Sequence, residues 1–524
     1  VTTILRSPLS ENSSIIIPLT SWTNITHMIL SSSFTACGSK GASLTGKTGR
    51  PLVTFMLVDY EGSPLTGPHA EEVMNTVAEY TGTDVEYTFV AYDSYAEKTG
   101  LALASPDDMP MIMHIDKLDL GIVDAAKAGA FWDLNDFIWD REKYPNLSQA
   151  NKNVSKNLTI DGELIGIYKA RDIGRYGVGY RSDWAEKLGL SEPKTIDDMY
   201  NMLYQFTYGD PDGNGIKDTY GLAMCKYTGP FDIIQSWFGC GNGWAEQNGE
   251  LIPVHRTKEY REALDWMKKI YQDGLMAPDW AVRDTATWQD QVKKGEAGVF
   301  VDVMDGSRRI WDYFVTNQVP SVADSSKLAG MTLLGPVNGR TPATPGYNGF
   351  LVITKAAKTK EDVERCLHFI DKMCDDQMIV LAGYGQEGVN YEIDADGFIV
   401  QTTLKDPSAL KAYGPLNQTQ CFIPHPLNQA KPSLKQTERM QKQVQVIKDN
   451  EQYAVYNPAL AYLVNSNTYA TQGAILDQLL SDARTQYICG RIDGKQLEAE
   501  FAKWDKQGGE KVIAEVNAQY KKAK

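Results

Sequence analysis

Short hydrophobic runs alternate with amphipathic stretches through the first third of the chain. The segments RPLVTFMLVDY, TDVEYTFVAY and DDMPMIMHI have the pattern of buried or half-buried strands, and the first of them ends at Tyr60. Helical spacing of apolar residues marks the segments PHAEEVMNTVAEYTG, SYAEKTGLALAS and LGIVDAAKAGAFWDLNDFI. Strands that alternate with helices predict a parallel sheet whose ligand lies beyond the carboxyl ends of the strands. Tyr60, His114 and Asp116 stand at those ends and are candidate ligand-binding residues.

A second α/β unit follows the segment TIDGELIGIYKARD. The segment EPKTIDDMYNMLYQFTY predicts a helix that begins at a capping box formed by Thr195 and Asp198. Farther along, GEAGVFVDVMDG predicts a buried strand, and GFLVITKAAKTKEDVERCLHFID predicts a strand, a loop and a capped helix. Cys366 and Cys374 fall on the apolar face of that last helix, so two buried thiols are expected there.

Composition narrows the possible functions. The chain has 524 residues, which is too many for one ordinary core, so two or more lobes are expected. Asp and Glu number 67 against 52 Lys and Arg, and the resulting net charge of −15 argues against a nucleic-acid partner. The seven Cys and six His residues show neither a CxxC motif nor a zinc spacing. No run of about 20 apolar residues predicts a membrane-spanning helix.

The segment DPDGNGIKDTYGL, which starts at Asp210, concentrates oxygen donors on one loop. Its spacing matches positions 1, 3, 5, 7 and 9 of an EF-hand calcium loop, with Gly215 at the sharp turn of position 6. Position 12 is Gly221 instead of the usual bidentate Glu, and a strand follows the loop. The predicted ligands of a structural Ca²⁺ ion are Asp210, Asp212, Asn214, the carbonyl of Ile216, and Asp218. The alternative is an Asp- and Gly-rich turn that holds no metal.

The first 50 residues contain the broken apolar patches SIIIPLTSW and HMILSSSFTAC. The segment SFTAC, followed by GSKGASLTGKTGR, resembles the end of a bacterial lipoprotein signal. In that pattern Cys37 is lipidated and residues 38–50 form a flexible tether. Phe34 departs from the usual Leu, and the upstream region lacks the basic start of a secretory signal. A disordered leader with an ordinary cysteine is the alternative.

Several segments together resemble one known family. They are RSDWAEKLGLSEPKTIDDMYNMLYQF with the acidic loop after it, GWAEQNGELIP, TPGYNGFLVITKAAKTKEDVERCLHFID, YGQEGVNYEIDADGFI and GRIDGKQLEAEFAKWDKQGGEKVIAEVNAQYKK. In order and spacing they are similar to the family 1 extracellular solute-binding proteins, the large lipoproteins that deliver carbohydrates to ABC importers in Gram-positive bacteria. The resemblance covers most of residues 51–524.

The resemblance implies an α/β fold of the periplasmic-binding-protein type II, with two lobes joined by a multi-strand hinge. The predicted divisions are a leader over residues 1–36, a tether over 37–50, lobe 1 over 51–166 and 299–352, and lobe 2 over 167–298 and 353–524. We expect the chain to cross between the lobes near residues 165, 298 and 353. A carbohydrate bound between the lobes, ABC permease subunits as partners, and a lipid anchor on the outer face of the cell membrane are also implied.

Aromatic and polar side chains near the implied cleft are further candidates for sugar binding, because ring faces pack on sugar C–H faces. Phe231 and Trp237 are predicted stacking platforms, although both also fit a buried helix end. Asp302 follows a buried strand and has the alternative role of a helix cap or salt-bridge partner. Arg171 and Tyr347 are predicted near the hinge. An anionic ligand is consistent with Arg171, Arg175 and Arg181, which have structural roles as the alternative.

The sequence contains no GxSxG, HExxH or P-loop motif, which favours a binding protein over an enzyme. A calcium-dependent polysaccharide-degrading enzyme remains the alternative, because a pair among the many carboxylates would suffice for glycoside hydrolysis. A calcium-dependent module that binds another protein is a third class, which generally uses paired loops. A binder of a non-sugar ligand such as a peptide is a fourth.

Overall fold

The computed structural model describes residues 45–59, 65–105, 109–403 and 407–524. Cys37 and Tyr60, which the sequence analysis singled out, lie outside these ranges. The strands are β1 (Leu52–Asp59), β2 (Asp84–Ala91), β3 (Ile112–Ile115), β4 (Thr159–Ile160), β5 (Glu163–Leu164), β6 (Ile167–Ala170), β7 (Tyr176–Arg181), β8 (Tyr220–Leu222), β9 (Trp244–Gln247), β10 (Glu250–Pro253), β11 (Ala297–Val303), β12 (Met331–Leu334), β13 (Thr341–Pro342), β14 (Tyr347–Ile353), β15 (Tyr391–Ile393), β16 (Ile399–Gln401) and β17 (Ala454–Val455).

The helices lie between these strands and at the end of the chain. They are α1 (Ala70–Thr81), α2 (Tyr92–Ala104), α3 (Leu120–Lys127), α4 (Lys152–Ser155), α5 (Ser182–Lys187), α6 (Ile196–Tyr208), α7 (Gly229–Trp237), α8 (Lys258–Gln272), α9 (Asp290–Lys293), α10 (Met304–Thr316), α11 (Lys360–Met373), α12 (Asp376–Tyr384), α13 (Pro407–Lys411), α14 (Glu438–Asn450), α15 (Leu460–Leu463), α16 (Asn467–Ile488), α17 (Gly494–Trp504) and α18 (Glu510–Ala523). No helix among the described residues is long and apolar enough to cross a membrane.

The first lobe is built on a five-stranded sheet in the order β2-β1-β3-β14-β6. β1 pairs in parallel with both β2 and β3, as the strand–helix alternation predicts. β14 pairs antiparallel with β3 and with β6, so the complete sheet is mixed. The buried run of β1 and the apolar face of α11 share one core, in which the rings of Phe55 and Phe369 meet edge to face at 6.3 Å.

The second lobe is built on a four-stranded sheet in the order β12-β7-β11-β8. β11 runs antiparallel to β7 and parallel to β8, and β12 runs antiparallel to β7. A separate core covers this sheet with α6, α7 and α8, and the final helices α16, α17 and α18 pack on the same lobe. The capping box of Thr195 and Asp198 begins α6, as the sequence indicates.

The lobe boundaries differ from those expected. β11 and β12 pair with β7, so residues 297–334 belong to the second lobe and not to the first. Conversely, α11 and α12 pack on the first sheet, and Cys366 and Cys374 are buried in that core. The physical reason is the apolar run of β14, which pairs with β3 and β6 and brings the helices after it to the first lobe. The predicted third helix is also shorter than expected, because the chain turns at Gly129 with φ +79°.

Three short segments, residues 171–175, 335–346 and 435–437, carry the chain between the two sheets. They bond to one another or to the elements that they join. Arg171 donates its backbone N–H to the carbonyl of Gly346 at 2.9 Å, and β13 pairs in parallel with β17. At the end of α14, Asn450 Nδ2 donates to the carbonyls of Gly174 and Tyr176, both at 2.9 Å. The connection is therefore a hydrogen-bonded, multi-segment hinge.

Candidate ligand-binding cleft

A cavity of about 620 Å³ lies between the two lobes. The first lobe contributes α4 and the turn after it, the second contributes the start of β7 and of α7, and the chain after β17 closes one side. Its lining includes the polar side chains of Asn153, Asn157, Tyr176, Tyr227, Asp232 and Tyr456. The volume is within the range of about 300–1,000 Å³ that is usual for small-molecule sites. Phenol rings beside amides and a carboxylate suit a ligand with apolar C–H faces and many hydroxyl groups.

Tyr227 presents the most accessible ring of this lining. It follows β8 and is 47% exposed, and its ring edge is held by Trp288 with the ring centroids 6.0 Å apart. Gly229 makes room for the ring, because a Cβ at that position would lie 2.2 Å from Cζ and from Oη of Tyr227. The glycine at the start of α7 therefore sets the position of the phenol.

Asp232 lies one turn farther along α7, and its side chain is held in place by α16. Arg484 of α16 donates Nη1 to Oδ1 of Asp232 at 2.7 Å and Nη2 to the hydroxyl of Thr228. The carboxylate keeps about half of its surface exposed to the cavity side of the helix, whereas the guanidinium is largely buried. The arrangement presents a carboxylate oxygen in a fixed position, which can accept a hydrogen bond from a ligand hydroxyl.

Asp302 lies at the end of β11, opposite Gly177 of β7. Its carboxylate is near the phenols of Tyr176 and Tyr227. Burial raises the pKa of the Tyr227 phenol to about 12, and the neighbouring Asp302 carboxylate adds to that rise. Burial likewise raises the pKa of Tyr176, with the charge of Asp302 as the second cause. Burial also raises the pKa of Asp302 itself. The structure thus brings Asp302, predicted from sequence, next to Tyr176 and Tyr227, which sequence analysis did not select.

Asp302 itself does not line this cavity, and neither do the predicted residues of the first lobe and hinge. His114 is buried on β3, and burial together with Lys169 lowers its pKa to about 3, so it is a neutral core residue. Asp116 follows that strand and is half-buried. Arg171 is exposed on the first crossing segment, and Tyr347 begins β14 opposite Ala170.

Phe231 and Trp237 have a different environment from the one predicted. They are 0% and 1% exposed in the core of the second lobe, so neither ring offers a face to the cleft. The ring of Phe231 meets Tyr260 edge to face at 5.4 Å, and Trp237 meets Trp266 at 6.2 Å. The reason is the orientation of α7, whose apolar face packs on α8 and whose first turn reaches the cleft. A sequence signal for Tyr227 does exist, because it follows a strand end and precedes a Gly-Pro helix start.

The predicted calcium loop connects α6 to β8 on the surface of the second lobe. Asn214 Nδ2 donates to Oδ2 of Asp212 at 2.7 Å and to Oδ2 of Asp218 at 3.2 Å, while Asp210 accepts the N–H of Gly215 at 3.2 Å. Burial raises the pKa of Asp212, and the charges of Asp218 and Asp210 add to the rise. Within the described residues, no three His, Cys, Asp or Glu side chains form a group that could hold a metal ion as arranged. The carboxylates of Asp212 and Asp218 both face the side-chain amide of Asn214, so a cation at this position would relieve their mutual repulsion.

Comparison with known proteins places the chain in a family. The model of the family described as bacterial extracellular solute-binding protein matches residues 67–370. The chain belongs to this family of solute-binding proteins. Lipoprotein LipO of Bacillus subtilis (strain 168) is 36% identical over 507 residues, which cover 94% of this chain and 96% of LipO. The polygalacturonan/rhamnogalacturonan-binding protein YtcQ of the same organism is 30% identical over 512 residues, which cover 93% of this chain and 95% of YtcQ.

Solved structures of solute-binding proteins have the same fold. The HMO binding ABC-transporter associated solute-binding protein of Bifidobacterium longum infantis aligns with a TM-score of 0.63 at 17% identity, over 90% of this chain and 99% of that one. The EF-hand mutant of the Streptococcus pneumoniae ABC-transporter substrate-binding protein FusA, in complex with fructo-nystose, aligns with a TM-score of 0.58 at 18% identity, over 90% and 99% of the two chains. The predicted two-lobed α/β fold of this solute-binding protein is therefore confirmed.

Proposed function

We propose that the protein captures an oligosaccharide between its lobes and delivers it to the permease subunits of an ABC importer. The observation that carries the proposal is the interlobe cavity, in which the exposed Tyr227 ring stands beside the fixed carboxylate of Asp232. Relatives named for polygalacturonan, rhamnogalacturonan and fructooligosaccharide support a carbohydrate as the ligand. In this function the lobes close on the sugar by a hinge motion at the three crossing segments.

A thermal-shift screen against a panel of oligosaccharides tests the proposal. A ligand that binds only the native state raises stability by about 2.7 kcal/mol at a hundredfold excess over Kd. We expect at least one oligosaccharide to raise Tm, and a panel of short peptides to leave Tm unchanged. Stabilisation by peptides alone would favour a peptide-binding function instead.

The protein acts as a binder and not as a polysaccharide-degrading enzyme in this proposal. The same oligosaccharides, incubated with the protein and assayed for new reducing ends, separate the two functions. We expect a Tm shift without new reducing ends. Cleavage that depends on Ca²⁺ would favour the enzymatic alternative.

We also propose that Cys37 carries a lipid that holds the protein on the outer face of the cell membrane. The segment SFTAC and the relative named lipoprotein LipO support this, and Cys37 itself lies outside the described residues. Cells that express the full chain, grown with a radiolabelled fatty acid, should label the protein, and Cys37→Ala should abolish labelling and release the protein from the membrane. The matched control is Cys489→Ala, which removes a cysteine of the second lobe. Equal labelling of the Cys37→Ala variant would refute the anchor.

The loop after α6 is proposed to hold a structural Ca²⁺ ion. Its ligands would be Asp210, Asp212, Asn214, the carbonyl of Ile216, and Asp218. Hard oxygen donors on a flexible loop suit Ca²⁺. A solved structure with the same fold is that of an EF-hand mutant of FusA, whose name indicates an EF-hand in that protein. The bound ion would neutralise the converging carboxylates and fix the angle between α6 and β8.

Removal of the ion should lower Tm. For a hundredfold excess of Ca²⁺ over Kd the loss is about 2.7 kcal/mol, or about 5–10 °C for a domain of 150–250 residues. Asp212→Ala should lower Tm by a similar amount and make the protein insensitive to chelator. The control is Asp396→Ala in the second acidic turn, between β15 and β16, which should remain sensitive. A Tm that chelation does not change in the parent protein would exclude the calcium site.

A further inference from the structure

We propose that Tyr469 is a second sugar-stacking platform of the cleft, and that the ligand is an oligosaccharide long enough to contact both Tyr227 and Tyr469. The inference rests on the proposed function, and it assigns the length of the ligand and a further residue that determines specificity. It follows from the face that α16 presents to the cavity.

One face of α16 forms a stripe along the cavity wall. The residues of this helix that line the cavity are Tyr469, Asp477, Leu480, Ser481 and Arg484. Steps of three, four or eight positions separate them in turn, which places them on the same side of a helix. At the far end of the stripe Arg484 bonds to Asp232 at 2.7 Å. The stripe therefore leads from the region of Tyr227 and Asp232 to a second region around Tyr469.

The ring of Tyr469 lies along the helix over Gly473. A Cβ at Gly473 would be 3.0 Å from Cδ2 and 3.0 Å from Cε2 of Tyr469, so the ring fills space that a side chain at position 473 would need. Glycine is among the least favourable residues in the interior of a helix, and here it has a packing reason. Gly473 thus gives the Tyr469 ring a flat seat on α16.

The hydroxyl end of the same ring is also held. Tyr469 donates to Oδ2 of Asp477 at 2.9 Å, and the Asp477 side chain is exposed, so its carboxylate can accept a further hydrogen bond from a ligand hydroxyl. The half-buried ring packs on the core formed by α16, α17 and α18 and lines the cavity. A ring that is already fixed loses little conformational freedom when a ligand binds.

The cleft therefore contains two centres of the same composition. The Tyr227 centre consists of Tyr227 and Asp232, and the Tyr469 centre consists of Tyr469 and Asp477. Each offers a phenol ring for sugar C–H groups and an exposed carboxylate that accepts hydrogen bonds from hydroxyls. A repeated pair of this kind suits a ligand built from repeated units, as an oligosaccharide is.

The spacing of the two centres sets a minimum length for the ligand. Asp477 and Arg484, which marks the Tyr227 centre through its bond to Asp232, are seven residues apart on α16. At 1.5 Å per residue this is about 10 Å along the helix axis. The span exceeds the size of one sugar ring, so a short sugar contacts one centre and a longer chain contacts both.

The test measures how Kd depends on chain length. Isothermal titration is carried out with the di-, tri- and tetrasaccharides of the galacturonide, fructo-oligosaccharide and cello-oligosaccharide series, the first two of which match the names of relatives. For the parent protein we expect Kd to fall by about tenfold or more from the disaccharide to the tetrasaccharide of a series that binds, because the longer chain gains a second ring contact.

Two substitutions assign this gain to its ring. Tyr469→Ala should reduce the gain from disaccharide to tetrasaccharide to less than about threefold, since the second ring contact is lost. Tyr227→Ala should weaken the binding of both lengths, because Tyr227 has the more exposed ring and receives the short chain.

Three controls separate a binding role of Tyr469 from a structural one. Tyr469→Phe keeps the ring over Gly473 and should keep most of the gain. Ile475→Ala removes a 63% exposed side chain of the same helix outside the cavity lining and should leave the gain unchanged. If Tyr469→Ala lowers Tm markedly, Tyr469→Leu keeps the apolar packing without the flat ring and should show the same loss of the gain.

The outcomes distinguish the inference from the function on which it rests. If the Tyr469 variants without an aromatic ring keep the full gain, or if Kd of the parent does not depend on chain length, the inference is overturned and an oligosaccharide-binding function stands. If no member of any series binds to the parent, the proposed carbohydrate function fails, and the inference fails with it.

Discussion

The substitution Tyr227→Ala tests the cleft most directly. A buried aromatic side chain removes about 150–250 Å² from water, and Tyr227 is 47% exposed, so a ligand can cover at most about 70–120 Å² of it. At about 25 cal/mol per Å² this area corresponds to about 2–3 kcal/mol. A sugar covers one face of the ring and leaves its rim in water, so we expect the lower value. A loss of about 2 kcal/mol weakens Kd by roughly 30-fold.

Isothermal titration with the best oligosaccharide from the thermal-shift screen measures this change. Tyr204→Ala is the matched control, because Tyr204 is 43% exposed on α6 and does not line the cavity. We expect the control to bind as the parent protein does, and both variants to keep a Tm close to that of the parent. If Tyr227→Ala binds the sugar with an unchanged Kd, the ligand does not stack on this ring and the cleft has been placed wrongly.

Two further substitutions follow from the packing. Gly229→Ala should displace the Tyr227 ring, since the new Cβ would lie 2.2 Å from its Cζ, and should weaken sugar binding about as much as Tyr227→Ala does. The control Gly100→Ala, at an open position within α2, should leave Kd unchanged. Equal Kd values for Gly229→Ala and Gly100→Ala would refute the steric argument. Burial lowers the pKa of His255 to about 3, so the native state holds the imidazole neutral. The free energy of unfolding is therefore unaffected by His255 above about pH 6.5. It declines by about 1.4 kcal/mol per pH unit as the pH falls from about 6.5 toward 3, because only the unfolded state takes up the proton. His255→Phe should therefore lose less stability between pH 6.5 and 4.5 in urea titrations than the parent does, and the exposed His368→Gln should behave as the parent; identical pH profiles for all three proteins would contradict this assignment.

Local patterns were sufficient to predict most elements. β1, α1 and β2 follow the predicted segments within a few residues, because the period of apolar positions and the cap at Gly82 are local properties. The antiparallel pairing of β15 with β16 across the short turn between them is likewise a local feature. The lobe boundaries depended instead on the partner of β14, which is separated from β3 by more than 200 residues and which no local pattern identifies.

The cleft residues were harder to predict, since aromatic type alone does not specify which way a side chain faces. Phe231 comes four positions after Tyr227, yet one is fully buried and the other is about half exposed. The difference arises because α7 packs its apolar face on α8, and that contact is tertiary. Asp302 was selected from sequence because it lies at the end of a buried strand, whose carboxyl end in an α/β sheet borders the ligand, and it lies near the cavity tyrosines without lining the cavity. Applied to β8 as well, the same rule would have selected Tyr227.

The proposed calcium loop and the cleft lie at opposite ends of one strand, which predicts how they are coupled. The proposed ligand Asp218 precedes β8, and Tyr227 follows it, so the two residues are connected through Tyr220–Leu222. β8 pairs in parallel with β11, the strand that carries Asp302, so a paired strand of the sheet lies between the loop and Tyr227 along the chain. Chelation well below Tm should therefore change the sugar Kd by less than about threefold while it lowers Tm. If chelation instead abolishes sugar binding and leaves Tm unchanged, the ion belongs to the cleft. The proposed loop site and the cleft would then not be separate sites at the two ends of β8.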